Sequence, residues 1–283
     1  MNARVGVVAH EGRVAAVKEA DALQIALASL GTTPTRLPWD EDGDSIPRGT
    51  FDLVVSIGGD GTFLRAAHVA SAAGCPVLGV KVGRLGFLTE VEPAAAPRII
   101  EQALAGKVRI EERLAVTAEP AGGVSFEPQW ALNEIMVEKR ARHRLIRLDV
   151  RVGGAYVTTF SADAVIAATP TGSTAYSFAA RGPIVSPTVP CLILTPVAAH
   201  MVFDRSFVLG ADQVVTIQVV GDEPGLLSAD GRDSIELPVG SRLTIRAADQ
   251  PSLFVRGDPA STFLGRVREK FDLPGADDVG GEG

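Results

Sequence analysis

Residues 51–73 constrain the fold of this chain more than any other stretch. An apolar, β-branched run, FDLVVSI, meets Gly58-Gly59-Asp60-Gly61 and opens directly into TFLRAAHVASAA, which has helical periodicity and is stopped by Gly74. A strand fed through a glycine turn into a helix needs a parallel neighbour, reached by a crossover, to cover its faces. Apolar runs at 5–8 and 75–80 supply such neighbours, and the alanine-rich stretch 13–30, stopped by Gly31, supplies another helix. Residues 1–112 are therefore expected to form an α/β domain, a parallel sheet with flanking helices, carrying the GGDGT segment. The polar stretch 38–49 reads as an exposed loop.

From Arg113 the pattern changes. Short β-rich runs recur at 130–138, 145–152, 156–160, 164–168, 191–194, 214–220 and 243–245, with turn signals at Gly153-Gly154 and Asp230-Gly231. This spacing predicts a second, mainly antiparallel β-rich domain over 113–257. Phe263, Val267 and Phe271 share a helical face, so 260–271 is expected to be a closing helix packed back on the first domain, with 274–283 a disordered acidic tail.

A length of 283 residues fits two domains, and 46% hydrophobic with 22% charged residues is ordinary for a globular chain. The net charge of −7 argues against broad electrostatic binding to nucleic acid or to anionic membrane. No apolar stretch approaches the roughly 20 residues of a membrane span or forms a signal-peptide core. Cys75 and Cys191 lie in separate apolar runs and read as buried thiols in a reducing compartment, which points to the cytoplasm. His10, His68, His143 and His200 have no metal-ligand spacing.

Three segments carry candidate chemistry. At Gly58-Gly59-Asp60-Gly61 the glycines let a ligand approach the backbone, the helix N-terminus favours phosphate, and the carboxylate could serve as a general base; alternatively Asp60 simply caps the helix in a tight turn. Walker A and GxGxxG fingerprints are both missing. In 168–177 many hydroxyls surround Gly172 and could bond phosphate or ribose; alternatively Ser173 or Thr171 caps a helix. Asn133-Glu134 interrupts an apolar strand either as a ligand-facing pair or with Glu134 at a solvent-facing position.

Taken in order, Gly58-Gly59-Asp60-Gly61-Thr62, Gly83-Arg84-Leu85-Gly86-Phe87-Leu88, Asn133-Glu134 and TPTGSTAYS at 169–177 resemble the signature set of the NAD kinases. The similarity continues through Gly182-Pro183-Ile184, Pro196, His200, Arg205 and Asp230-Gly231-Arg232. GGDGT alone is shared with diacylglycerol, sphingosine and phosphofructo-type kinases, whereas the Asn-Glu pair with TPTGSTAYS is more specific. The resemblance implies an α/β nucleotide-binding domain and a β-rich dinucleotide-binding domain, assembled as a homodimer or homotetramer. It implies transfer of the ATP γ-phosphoryl group to the 2′-hydroxyl of the adenosine ribose of NAD, giving NADP, with Mg2+ arriving on the ATP. On that resemblance Asp60 is the base, in a site lined by Gly58, Gly59, Gly61 and Thr62. Arg65 and Arg144 contact the dinucleotide, Asn133 and Glu134 hold ribose hydroxyls, and Asp163 meets the nicotinamide side. Thr174, Ala175 and Tyr176 cradle the adenine-ribose portion, and Ser161, Thr171, Gly172, Ser173 and Ala179 complete the binding set.

Four positions depart from the pattern. Lys81 replaces the asparagine of GxNxG, Ala164 follows Asp163 in place of glycine, and Ala179 and Arg181 stand within a typical Ser-Ala-Gly-Gly. They leave two further readings: a paralogue phosphorylating a different hydroxylated phospho-metabolite or nucleotide, and a non-catalytic NAD- or ATP-binding regulator. A lipid kinase sharing GGDGT is disfavoured, because no amphipathic or basic membrane-facing stretch is evident.

Overall fold

The chain opens with the alternation that its apolar runs predict: β1 (Arg4–Ala9), α1 (Val14–Ser29), β2 (Thr33–Arg36), β3 (Leu53–Gly58), α2 (Asp60–Ala73), β4 (Val77–Lys81), α3 (Ala96–Leu104) and β5 (Arg109–Arg113). Strands then dominate: β6 (Val116–Gly122), β7 (Gln129–Ala131), β8 (Glu134–Lys139), β9 (Ile146–Val152), β10 (Ala155–Ala162) and β11 (Ala164–Ala168). After a 3-10 turn at Thr171–Thr174 come α4 (Tyr176–Ala179), β12 (Cys191–Val197), β13 (Phe207–Gly210), β14 (Val215–Val220), β15 (Gly225–Ala229), β16 (Ile235–Leu237) and β17 (Arg242–Ala247). The chain ends with β18 (Ser252–Arg256) and α5 (Phe263–Lys270). The computed structural model describes residues 3–39, 41, 43–84, 86–201, 203–257 and 262–274. The chain divides into two units, 1–112 with 252–283 and 113–251.

The sheet of the first unit has the order β2-β1-β3-β4-β18-β5, with parallel pairing from β2 through β18. Every residue of β3 is buried, and every residue of β1 after Arg4, as expected for strands covered on both faces. Ala16, Ala20, Leu23 and Leu27 form the buried stripe of α1, and small alanines there bring helix and sheet close. Gly74, at φ 72°, ends α2 in the left-handed conformation that a Cβ would oppose. Because β2 and β3 lie on opposite sides of β1, the strand order reverses there. The crevice beyond the carboxyl ends of β1 and β3 is thus the switch point where open α/β sheets take their ligands.

The second unit holds two antiparallel sheets, β10-β9-β14-β17-β6-β7 and β13-β12-β11-β8-β15-β16. Both contribute to one apolar core, with Val150, Phe160 and Ile217 from the first and Ile135, Val165 and Leu194 from the second. Gly153 and Gly154, at φ 56° and 83°, make the tight turn between β9 and β10.

Several expectations need correction. Residues 252–256 belong to the first unit rather than to a β-rich domain ending at 257. Val255 joins the first core, and the Phe254 ring lies 4.8 Å from that of Phe63. The run 130–138 is two strands in different sheets, broken at Leu132-Asn133. The stretch 38–49 contains a 3-10 turn, Gly43–Ser45, with Gly43 buried against His68. The closing helix begins at Phe263, and residues 260 and 261 lie outside the described residues, as does the expected tail from 275 onward.

Candidate active site

In the first unit, β3 delivers Gly58 to the switch point, and a Cβ there would sit 2.4 Å from Thr62 Oγ1. The turn can close only around glycine. Gly59 is the N-cap of α2 and Asp60 its first residue, yet the Asp60 carboxylate does not cap the helix. It reaches across to the following loop, where the Phe87 N–H donates to Oδ2 at 2.9 Å and the Leu88 N–H to Oδ1 at 3.0 Å. Gly86 makes that approach possible, since a Cβ on it would lie 2.1 Å from Asp60 Oδ1. Each carboxylate oxygen thus uses one lone pair on a fixed N–H and keeps another to accept a proton. The first-turn N–H groups of α2, at Gly61 and Thr62, have no carbonyl one turn back and favour an anion.

The neighbouring loop after β1 comes to the same place, with Arg13 Nη1 4.0 Å from the point where a Cβ on Gly59 would stand. Arg65, one turn beyond Asp60, lies 4.8 Å over the Trp39 ring, and that ring stacks on His10 at 4.4 Å. Sequence reasoning passed over Trp39 because it sits in a polar stretch. Lys81 is engaged by Glu92, at 2.8 Å.

In the second unit Asn133 and Glu134 stand at the corner between β7 and β8. Asp230, the aspartate of the Asp-Gly turn, holds that corner: its carboxylate accepts the N–H groups of Leu132 at 2.7 Å, Asn133 at 2.8 Å and Glu134 at 3.1 Å. Burial raises the Asp230 carboxyl, against the lowering influence of those donors and of Arg232. The Glu134 side chain is half-buried next to it, and its Oε2, shut off from solvent, has no hydrogen-bond partner among the described residues. Burial and the Asp230 charge push the Glu134 carboxyl from 4.5 up to about 8. The buried Oε2 argues against a solvent-facing Glu134. A buried polar atom without a partner is costly, and a hydroxyl group would satisfy it.

The hydroxyl-rich segment docks on the same corner. Thr169 donates from N to Asn133 O at 2.8 Å and from Oγ1 to Leu132 O at 2.6 Å. A Cβ on Gly172 would meet Asn133 O at 2.1 Å. Neither Ser173 nor Thr171 caps a helix: Ser173 Oγ bonds both the O and N of Val185, and Thr171 Oγ1 accepts from Arg113. Thr174 Oγ1 turns back to Thr171 O at 3.4 Å, and the Ala175 N–H reaches Gly172 O at 2.9 Å. Tyr176 and Ala179 bound the short α4, with the Tyr176 ring exposed. The helix ends in a Schellman turn, Gly182 N to Ser177 O and Arg181 N to Phe178 O, which leaves Arg181 at φ 66°.

Other predicted residues stand apart from this corner. Asp163 pairs with Lys139, and the Ser161 carbonyl accepts the His200 N–H. Arg144 pairs with Glu223 at 2.8 Å and borders a cavity of about 420 Å³ that also touches Arg147 and Asp222. Among the described residues no three His, Cys, Asp or Glu side chains gather as a metal site. No helix of the described residues is long and apolar enough to cross a membrane.

A carboxylate fixed beside a glycine turn, at a helix N-terminus able to receive phosphate, is the equipment of a kinase. Residues 7–108 match the ATP-NAD kinase N-terminal domain and 132–257 the ATP-NAD kinase C-terminal domain. NAD kinase 2 of Streptomyces avermitilis is 36% identical over 95% of this chain and 94% of its own length. The NAD kinase of Rhodococcus opacus is 40% identical over 79% of this chain and 70% of its own. Among solved structures, yeast NADH kinase complexed with NADH superposes with a TM-score of 0.83 at 22% identity, covering 97% of this chain and 89% of that one. An NAD kinase from Archaeoglobus fulgidus in complex with ATP does so with a TM-score of 0.73 at 28% identity, covering 95% and 98%. The chain belongs to the ATP-NAD kinase family.

Proposed function

We propose that this protein transfers the γ-phosphoryl group of ATP to the 2′-hydroxyl of the adenosine ribose of NAD, forming NADP, with Asp60 as general base. The observation that carries this reading is the Asp60 carboxylate, turned away from its own helix and fixed by two backbone donors, with lone pairs left to take a hydroxyl proton. As the ribose oxygen bonds to phosphorus, its proton passes to Asp60 and the bond from phosphorus to the bridging oxygen of ADP breaks. Phosphoryl transfer asks mainly for alignment and charge neutralisation. The N-terminus of α2 contributes to the second, and Mg2+ accompanies ATP as part of the substrate. Asn133 and Glu134 hold ribose hydroxyls, a role supported by the unpartnered Glu134 Oε2. Arg65, Arg144, Asp163 and the loop carrying Thr171–Thr174 contact the rest of the dinucleotide.

The two added cations among the departures do not favour another acceptor. Lys81 is neutralised by Glu92, and Arg181 is the left-handed residue of a helix stop. The reading extends to a homodimer or homotetramer in the cytoplasm, and the free, buried Cys75 and Cys191 suit a reducing compartment. Incubation with Mg-ATP and NAD, followed by enzymatic assay of NADP, should show turnover that Asp60→Asn lowers by about a hundredfold or more, leaving a measurable residue. NAD binding without turnover would establish a regulator, and turnover of another hydroxylated nucleotide without NAD binding a retuned paralogue.

A further inference from the structure

The loop that fixes Asp60 is itself gripped by the end of the chain. At one point the Phe271 ring meets the Phe87 ring, centroids 5.9 Å apart, and Lys270 Nζ lies 6.0 Å over that same ring. Three residues further along the loop from Phe87, Glu90 Oε2 receives Arg266 Nη1 at 2.9 Å, with both side chains nearly inaccessible, at 6% and 5% exposed. Glu90 also receives Arg256 at 3.0 Å and the Gly257 N–H at 2.9 Å. The loop joins the sheet at its far end, where the Glu90 and Val91 N–H groups reach Gly79 O and the Lys81 N–H donates to Val91 O. The Phe87-Leu88 stretch, whose N–H groups bind Asp60, precedes that pairing, and there the Phe87 ring rests against Lys270 and Phe271 at the end of α5.

We infer that α5 is a positioning element for the phosphoryl-transfer step, holding the 86–90 loop so that the Phe87 and Leu88 N–H groups aim the Asp60 carboxylate. The inference rests on the reading of Asp60 as base. Among the described residues α5 meets the loop at Phe87 and Glu90, while Asp60 is held by the loop's own N–H groups, so loosening α5 should lower kcat and leave nucleotide binding in place.

Phe271→Ala tests this, since it trims a half-buried ring while leaving the Arg266–Glu90 pair. With Mg-ATP and NAD, kcat should fall about tenfold or more while both KM values stay within about twofold, because small misplacements of a reacting group are costly. Phe271→Tyr should restore kcat, and the exposed change Lys270→Ala should give a smaller loss in the same direction. In an Asp60→Asn background Phe271→Ala should cost nothing further, which a merely structural role would not produce. Unchanged kcat in Phe271→Ala, or equal losses in both backgrounds, overturns the inference while the base reading stands. Wild-type kcat in Asp60→Asn overturns the base reading itself.

Discussion

Replacing Glu134 by glutamine should remove a pH-dependent cost from the folded state. In the native protein burial and the Asp230 charge raise the Glu134 carboxyl from 4.5 to about 8. Between those values the folded chain binds a proton that the unfolded chain has released, so stability falls as pH rises through the window. Below it both states are protonated and nothing is lost; above it both are ionised and the whole penalty applies. The span corresponds to on the order of 5 kcal/mol, most of it developed between about pH 5 and about pH 8. Glutamine has the same shape and no charge to bury. Urea unfolding of both proteins across that range should therefore show Glu134→Gln nearly level with wild type at the acid end and several kcal/mol more stable at the alkaline end. Asp230 is present in both proteins, so its own titration cancels to first order. Parallel stability curves, or a variant less stable at alkaline pH, would refute the claim that Glu134 is held protonated by its surroundings.

Arg181→Gly should raise stability by about 0.5–1 kcal/mol, because a Cβ at φ 66° is strained and glycine's greater unfolded freedom offsets only part of the relief. A lower urea midpoint would show that the Arg181 side chain outweighs its backbone. Gly86→Ala should retain the native circular dichroism spectrum but lose about a hundredfold or more in NADP formation, since the new methyl takes the place of Asp60 Oδ1. Wild-type turnover in that variant would count against the position of the carboxylate.

The first sheet was legible because strands covered on both faces are written as unbroken apolar runs, as in FDLVVSI. β2, a polar Thr-Pro-Thr-Arg at the sheet's edge, offered no such run. The place of β18 was hidden for a different reason: its composition suits either sheet system, and only pairing with the distant β4 decides between them. The break in 130–138 depends on Asp230, 98 positions from Leu132, and no local pattern marks it. At the site, Gly58-Gly59-Asp60-Gly61 announced a carboxylate at a helix start. The groups that hold it are main-chain N–H donors, which every residue type but proline supplies, so the sequence does not mark them. Arg181 stood out as a departure, but its left-handed backbone could be learned only from the turn it completes.

The place of β18 in the first sheet also has a consequence for biosynthesis. The slot between β4 and β5 is filled only by Ser252–Arg256, so a nascent chain exposes two unsatisfied strand edges from the moment Arg113 leaves the ribosome. The strands of the second unit are contiguous in sequence and can assemble while translation continues. Polypeptides released before Ser252 would thus carry a finished β sandwich beside an open, adhesive half-sheet, and quality-control proteases should meet them first at that gap.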